Sequence, residues 1–456
     1  MRKKLILALL FLTSLIFPSP IYAATRTVCA TGCQYSSIAG AITASAQDDT
    51  ISVSEGAYNG FILGKKVTIT AANFDAADPT KNTTNINGQV IIDTGGSWAW
   101  DQGPIVRGFH INAVGPVNLK SPATIEYNYI TGGGDHVSIS GSGGIIRGNR
   151  IQNAGDDNID IDNQSKNLLI ENNYLLNAGE EGIEMRQQPS TMSQRIDVIV
   201  RGNRIEGNPS DGFQIMDYGN FSNRRYIFDR NLFINNSKGG IAIMPSNITK
   251  EDLSGAAMPE PMYVVNNTFV GNYAGIAGGA NAVVINNIFS GQTGFDLKNV
   301  NGKSEIKYNL FLATPKLQGT NNLNQATTFT GNPLLTSNYT LSQGSPAIDI
   351  GIATYQYSYV YDGSGGGTAQ TFTDYVINLA AGQYNGLAPD LGIGEYGGVS
   401  GKTGDVNSDG QVNIYDLSMV VANFNKTPIT NAKTDVNRDG VVNLADIRLI
   451  ITNILN

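Results

Sequence analysis

The sequence predicts an all-β solenoid of stacked coils, followed by a small α-helical module at the C-terminal end. Three observations predict this architecture. An asparagine-centred pattern recurs through the middle of the chain, short strand-like segments separate its copies, and two similar loop–helix units close the sequence. The 456 residues also exceed one ordinary compact domain, which favours a repeat architecture or several domains.

Residues 1–24 are predicted to be a signal peptide. Basic residues at positions 2–4 form a positive start, and the apolar run at positions 5–17 is too short for a membrane-spanning helix. We therefore expect a secreted, extracellular protein without a membrane span.

The composition narrows the class of partner. A formal net charge of -8 argues against nucleic-acid binding and against capture of a polyanion without a bound cation. The two cysteines, Cys29 and Cys33, are four residues apart near the mature N-terminus. Export favours a disulfide between them, which would fasten the N-terminal edge of the fold.

The central repeat consists of an asparagine, one further residue and an apolar residue, and it recurs at intervals of about 20 to 36 residues. Its copies begin at Asn128, Asn149, Asn173, Asn203, Asn231, Asn267, Asn287 and Asn309. Units this short cannot bury a core alone, so they must stack. Asparagine tolerates tight turns, and its amide can bond to the next asparagine in a ladder.

This pattern resembles a right-handed parallel β-helix of the pectate-lyase-like type, a solenoid that we assign to residues 25–400. The resemblance implies an N-terminal cap helix at 36–42 and closing segments at 345–349 and 389–396. It concerns the fold and not the activity. Residues 401–404 are predicted to be a linker.

The two C-terminal loops have the same spacing of oxygen-bearing side chains, at loop positions 1, 3, 5, 9 and 12, with glycine at position 6. Such a loop suits a hard cation such as calcium. The candidate ligands are Asp405, Asn407, Asp409, Asn413 and Asp416 in the first loop, and Asp435, Asn437, Asp439, Asn443 and Asp446 in the second. An apolar helix follows each loop.

These tandem loop–helix units resemble a type I dockerin, an all-α module that we assign to residues 405–456. The resemblance implies two calcium ions, with the backbone carbonyls of Gln411 and Val441 as further ligands. It also implies a cohesin-type partner domain, on a scaffold or cell-surface protein, that contacts the dockerin helices. Directly before the last ligand of each loop lie Ile414-Tyr415 and Leu444-Ala445, where cellulosomal dockerins commonly have a Ser-Thr pair.

Acidic residues concentrate on four consecutive coils of the predicted solenoid. We aligned the glycine-turn strands by their inward apolar residues, Val137, Ile159, Ile183, Phe213, Ile241, Ile276 and Phe295. The alignment stacks acidic side chains in columns, which contain Asp135, Asp157, Glu181 and Asp211, then Asp160 and Glu184. Like charges this close repel unless a cation lies between them.

The cluster of Asp135, Asp156, Asp157 and Asp160 resembles the calcium cluster of family 9 pectate lyases. The resemblance implies calcium-assisted β-elimination of an acidic, uronate-containing polysaccharide, and thus a role in polysaccharide catabolism. Gln214 stands where that family has its catalytic lysine. The remaining candidates for a catalytic role are Arg186, Glu184 and Glu181.

Two alternatives to a lyase remain. Residues 155–157 also resemble the Gly-Asp-Asp motif of polygalacturonases, which are glycoside hydrolases, but their catalytic-site histidine has no match, and His136 is expected to face outward. The other alternative is a non-catalytic glycan-binding or surface scaffold protein. A tyrosine stripe at 355–361 could stack on sugars, but an apolar flap on the solenoid is favoured.

Overall fold

The computed structural model describes residues 23–95, 98–162, 164–188, 195–219, 222–246, 253–361, 369–380, 382–397, 404, 406, 412–426, 434–437 and 441–454. Nearly all of the predicted signal peptide and most of the predicted linker lie outside these ranges. So do five of the predicted dockerin ligands, namely Asp405, Asn407, Asp409, Gln411 and Asp439.

The chain winds through three parallel β-sheets, which we name A, B and C. Within each sheet, the strand of one coil pairs with the corresponding strand of the next coil. Sheet A consists of Thr25–Val28, Thr50–Val53, Thr68–Ala71, Ile105–Arg107, Ala123–Glu126, Gly144–Arg147, Leu168–Glu171, Ile196–Arg201, Arg224–Asp229, Met262–Val265, Ala282–Ile285 and Glu305–Lys307. These strands are short, and alternate apolar residues, such as Val200, Phe228 and Val264, are buried in the core of the solenoid.

Sheets B and C begin together in the long strands Gly56–Leu63 and Thr84–Ile92 and then separate. Sheet B continues through His110–Val114, Tyr129–Gly133, Arg150–Gln152, Tyr174–Leu176, Arg204–Glu206, Leu232–Ile234, Thr268–Val270, Ile288–Ser290, Asn309–Phe311 and Thr328–Thr330. Sheet C continues through Val117–Leu119, Val137–Ser140, Ile159–Asp162, Ile183–Gln187, Phe213–Asp217, Gly239–Pro245, Ala274–Ala277, Phe295–Lys298 and Leu317–Gln318. Short 3-10 turns lie at Pro79–Lys81 and Gln325–Thr327.

The asparagine ladder predicted from the repeat is present at the turn between sheets A and B. Asn149 shows the pattern: its backbone N–H and its side-chain Nδ2 both donate to Asn173 Oδ1, at 2.9 and 3.0 Å. The same bonds run without interruption from Asn128 to Asn309. Every coil is therefore fixed in register with the next at a buried position.

Aromatic rings strengthen the later coils. The rings of Phe233, Phe269, Phe289 and Phe311 stack inside sheet B, with centroids 4.9 to 5.0 Å apart. A second amide ladder, which the sequence analysis missed, runs beside them through Asn208, Asn236, Asn272 and Gln292. Its signal was an asparagine or glutamine five residues after the main ladder position.

The N-terminal end of the solenoid is covered by the helix Ile38–Ala44, as predicted. Ser37 caps the helix by accepting a hydrogen bond from the Gly40 N–H, and Ile38 and Ile42 are buried. Cys29 and Cys33 form a disulfide beside it.

An antiparallel hairpin, Thr354–Tyr361 and Gln370–Asn378, covers the outer surface of sheet A. Tyr357 and Tyr359 are buried against sheet A residues such as Tyr263. Asp374 anchors the hairpin, since Arg225 Nη1 lies 2.8 Å and Arg195 Nη1 lies 3.1 Å from its carboxylate. The tyrosine stripe therefore serves as the predicted flap.

The predicted closing segments pack on the last coils of sheet B, where Leu341, Ala347 and Leu391 cover Ile288 and Leu310. The C-terminal module contains two helices, Ile414–Asn423 and Leu444–Ile454. Their shared core consists of Val406, Val420, Val442 and Ile450.

Candidate functional site

The acidic residues of sheet C lie in register on its outer surface. Ser138, Asp160, Glu184 and Gln214 pair one with the next across four neighbouring strands. The sequence alignment predicted this column. It ends at Ala242, which pairs with Gln214.

The alignment was wrong at its last member. Ile276 pairs with Leu297 and not with Phe295. Leu297 is ten residues after the ladder residue Asn287, the same spacing that Ile241 keeps from Asn231, whereas Phe295 is only eight residues after Asn287. Phe295 instead packs in an outer apolar cluster with Ala242 and Ala274, so the acidic surface is bordered by an apolar one.

A second acidic column lies in the turn that precedes these strands, and backbone N–H groups hold it in place. The N–H of Asp157 donates to Asp135 Oδ1 at 3.3 Å, and the N–H of Glu181 donates to Asp157 Oδ1 at 2.8 Å. Each coil thus orients the carboxylate of the coil before it. Fixed carboxylate oxygens on neighbouring coils are a suitable arrangement for a cation.

The carboxylate oxygens form two groups that share Asp157. One group contains Asp135, Asp156 and Asp157, and the other contains Asp157, Asp160 and Glu184; within each group the oxygens lie within 4.8 Å of one another. Calcium binds oxygen at about 2.4 Å, so one ion could contact all members of a group. The predicted set of four aspartates is therefore divided, with Asp160 in the second group.

Arg186 forms ion pairs with two members of the second group, Asp160 and Glu184, and with the neighbouring Asp162. Its Nη1 lies 2.8 Å from Asp160 Oδ1 and 3.3 Å from Asp162 Oδ1, and its Nη2 contacts Glu184. These three carboxylates raise the pKa of Arg186 above its already high ordinary value, despite the opposing effect of partial burial. The guanidinium stays protonated, so it serves as an internal cation and not as a base.

The carboxyl groups of the cluster are hard to ionise without a further cation. Burial, and then the neighbouring Glu181 and Glu184 carboxylates, raise the pKa of Asp157 far above its ordinary range. Burial raises the pKa of Glu184 and, against the effect of Arg186, brings that of Asp160 to about 6. A bound metal ion would lower these pKa values by stabilising the charged forms.

Gln214 occupies the next position along the Asp160 column and is fully buried. Its Nε2 donates to Glu181 Oε1 at 2.9 Å and is 3.4 Å from Asp211 Oδ2. The amide binds the neighbouring carboxylates but cannot accept a proton at neutral pH. Gln214 is thus a positioning residue for Glu181.

The prediction that His136 faces outward was wrong. The side chains of His136 and of Asn158 on the next coil are fully buried inside the solenoid. Burial lowers the pKa of His136 to about 4, so its ring is neutral. The corresponding positions of the next coils are Gly182 and Gly212, where a Cβ would collide with the second amide ladder and with apolar core side chains.

In the C-terminal module, the last predicted ligand of each loop fastens that loop. Asp416 accepts the N–H groups of Val406 and Asn413 at 2.7 and 2.9 Å. Asp446 likewise accepts those of Asn437 and Asn443, at 3.0 and 2.8 Å. Both carboxylates are fully buried. Buried carboxylates held at the ends of oxygen-rich loops fit a calcium ion.

Comparison with protein families decides what this module is, because the family model described as "Dockerin type I domain" matches residues 403–455. The C-terminal module is a type I dockerin. Type I dockerin domains bind calcium. The model described as "Right handed beta helix region" matches residues 105–247, so the solenoid is a right-handed parallel β-helix.

The solved structures that are similar to this chain include a pectate lyase, a tailspike protein and a pectin methylesterase. Pectate lyase Pel9A is 15% identical to this chain, with a TM-score of 0.44, and the match covers 82% of this chain and 97% of the Pel9A chain. The Dettilon tailspike protein is 10% identical, with a TM-score of 0.33, over 69% of this chain and 65% of its own. The pectin methylesterase from Aspergillus niger is 10% identical, with a TM-score of 0.27, over 70% of this chain and 91% of its own.

No curated protein matches this chain. Within the described ranges, none of the helices combines the length and the apolar character that crossing a membrane requires.

Proposed function

We propose that the β-helix binds uronate units of an acidic polysaccharide through a calcium ion on sheet C, and that the dockerin joins it to a cohesin domain. The observation that carries this proposal is the grouping of Asp135, Asp156 and Asp157 oxygens within 4.8 Å of one another. Oxygen ligands only, at that separation, favour calcium over softer metals.

The charge of the surface explains why the ion would be needed. The acidic cluster repels the carboxylates of a polyuronate, and its nearby cation, Arg186, is already shared by three carboxylates. A calcium ion held by the other group would bind both the protein and a uronate carboxylate. Asp156 is exposed, which leaves that group accessible to a ligand.

Cleavage by β-elimination is a second candidate, and the position of Glu184 favours it. This carboxylate is directly beside Asp160 in the sheet and shares a metal-binding group with Asp157. A base must lie within reach of the C5 proton of a uronate bound to the ion, and Arg186 and Gln214 cannot serve. We therefore assign removal of the C5 proton to Glu184, with Glu181 as the alternative base; the electron pair forms a C4=C5 double bond, the C4–O bond breaks, and solvent water protonates the departing oxygen.

The experiment incubates the full chain with pectate, alginate and glycosaminoglycans in the presence of calcium. Unsaturated uronates, seen by ultraviolet absorbance, would establish a lyase, whereas reducing ends without absorbance would establish a glycoside hydrolase. Binding without either product means a binding protein. Asp156→Asn should abolish the calcium-dependent part of binding and any cleavage, and Asp48→Asn, an exposed aspartate on the first coils, is the matched control.

The proposal fails if Asp156→Asn and the wild type bind every polymer equally well. If the wild type cleaves a polymer, a Glu184→Gln variant separates binding of the polymer from its cleavage. It should retain polymer binding and lose cleavage if Glu184 is the base.

For the dockerin we propose one calcium ion in each loop and docking to a cohesin on a scaffold or cell-surface protein outside the cell. Ile414 and Leu444, at equivalent positions of the two helices, are 64% and 59% exposed and would contact the cohesin. Calcium titration of the full chain should lose one dockerin ion with Asp416→Ala and one with Asp446→Ala. A calcium-dependent pull-down from the secretome of the source should recover the cohesin-bearing partner.

A further inference from the structure

Sheet B carries a column of aromatic and cationic side chains on the same coils that carry the acidic cluster. His110, Tyr129, Arg150, Tyr174 and Arg204 pair one with the next across five neighbouring strands. Tyr174 is 47% exposed, and the other four side chains are half-buried. We name these five residues the sheet B column.

Two pairs of side chains stack within the sheet B column. The rings of His110 and Tyr129 lie 4.6 Å apart at an interplanar angle of 27°. The guanidinium carbon of Arg150 lies 5.8 Å from the centre of the Tyr174 ring. Stacking of this kind holds planar groups edge-outward along the coil axis and restricts their motion.

Arg150 is held in place by hydrogen bonds, and no acidic side chain of the described residues pairs with it. Its Nε donates to Gln152 Oε1 at 2.7 Å, and Gln152 Nε2 donates to the Tyr129 hydroxyl at 2.9 Å. Within the described part of the chain, its two terminal nitrogens make no hydrogen bond and no ion pair. By contrast, Arg204 pairs with Glu206 at 2.6 Å.

We propose that the sheet B column is a second polysaccharide-binding surface, on which Arg150 binds a carboxylate of the ligand and Tyr174 contacts the adjoining pyranose ring. A guanidinium with two unpaired terminal nitrogens matches a carboxylate in a bidentate arrangement. Because Arg150 is already oriented, little conformational entropy is lost when the ligand binds. The surface requires no metal ion.

The ligand class rests on the proposed function, since uronate is also the ligand of the calcium cluster. Charge complementarity supports it independently, because Arg150 is an uncompensated cation on an acidic protein. Strands of neighbouring coils are about 4.8 Å apart, close to the length of one sugar unit in an extended chain. A polymer lying along the coil axis would therefore meet successive members of the column.

The two surfaces are adjacent faces of the same coils. The sheet B strand Arg150–Gln152 leads through a turn at 153–158 into the sheet C strand Ile159–Asp162. That turn contains Asp156 and Asp157 of the calcium cluster. The same coil therefore carries Arg150 of the sheet B column just before the turn, and Asp156 and Asp157 of the proposed calcium site within the turn.

The test measures binding of polygalacturonate and of its methyl-esterified form to the full chain in calcium, by calorimetry or affinity electrophoresis. Arg150→Gln should weaken polygalacturonate binding about tenfold and hardly affect the esterified polymer, as expected for loss of a charged hydrogen bond. Tyr174→Ala should weaken binding of both polymers. Arg201→Gln, an exposed arginine on sheet A that pairs with Glu171, is the matched control.

The same measurements in an Asp156→Asn background separate this proposal from the calcium proposal. If Arg150→Gln lowers affinity there while Asp156→Asn alone has no effect, the sheet B column binds the polymer and the calcium site does not. If Asp156→Asn abolishes binding and Arg150→Gln changes nothing in either background, the sheet B column is not a binding surface. Thermal unfolding of each variant excludes misfolding as the cause.

Discussion

Arg186 and Asp160 pair across adjacent strands of sheet C, with Nη1 2.8 Å from Oδ1. The arginine thereby lies one coil beyond the group of carboxylates that we propose for calcium. Its positive charge stabilises the acidic cluster and at the same time opposes a second cation nearby.

The first prediction concerns this pair. Arg186→Gln should tighten calcium binding to the β-helix several-fold, because a neighbouring positive charge is lost, and should destabilise the calcium-free protein by about 1–3 kcal/mol. Calcium titration in an Asp416→Ala, Asp446→Ala background excludes the dockerin sites. Arg201→Gln is the control, and weaker calcium binding by Arg186→Gln would contradict the assignment.

The second prediction concerns pH. The pKa of Asp160 is raised to about 6, so the folded state holds a proton that the unfolded chain releases near pH 4. Stability of the calcium-free β-helix should therefore fall as the pH rises from about 4 to 6, by roughly 5 °C in Tm. Thermal unfolding with chelator measures this fall.

Calcium should reduce that fall, because it stabilises the ionised carboxylates. Asp160→Asn removes one titrating group and should make the profile in chelator less steep, while Asp157 and Glu184, whose pKa values burial also raises, still contribute to it. A Tm that rises over this pH range without calcium would show that the cluster is already ionised.

The third prediction concerns the asparagine ladder. Asn173→Ala removes the acceptor of the Asn149 N–H and the donor to the Ile146 carbonyl, so buried backbone groups lose their partners. The cost should be about 2–4 kcal/mol in the free energy of unfolding, measured by denaturant titration. Asn112→Ala, an exposed strand asparagine, should change stability by less than about 0.5 kcal/mol.

The fourth prediction concerns the hairpin over sheet A. Asp374→Ala leaves Arg195 and Arg225 without their shared carboxylate and removes the acceptor of the Tyr263 hydroxyl. The hairpin should then become sensitive to limited proteolysis while the solenoid stays intact. Asp229→Ala, which removes an aspartate paired with Arg230 on the same strand as Arg225, is the control and should leave the hairpin protected.

The repeat of the sequence was sufficient to predict the stacked coils, the main ladder and the acidic columns. Each depends on a periodic position, and parallel pairing carries that period directly into space. The alignment failed at Phe295 because it took the first apolar residue of that coil and not the residue at the regular ten-residue spacing from Asn287, which is Leu297. The burial of His136 was missed although its position recurs as Gly182 and Gly212 in later coils, where the absence of a side chain indicates an inward position.

The sequence also could not predict the complete set of ion pairs that each charged side chain forms. Arg186 has three acidic neighbours on two strands, and its role as an internal cation depends on distances of a few ångströms. Four members of the sheet B column, Tyr129, Arg150, Tyr174 and Arg204, occupy a periodic position directly after a ladder asparagine. The repeat therefore places them in one column, but it does not show which of them has an acidic partner, and that depends on contacts in the fold.

The anchoring of the hairpin by Asp374 has a consequence for the newly made chain. Asp374 lies 179 residues after Arg195, so most of the solenoid emerges from the ribosome before its sheet A is covered. During that interval the outward apolar side chains of Tyr263, Val265 and Ile285 are exposed to other nascent chains. Contacts between residues so distant in sequence form late, which makes aggregation during synthesis most acute just before the hairpin appears.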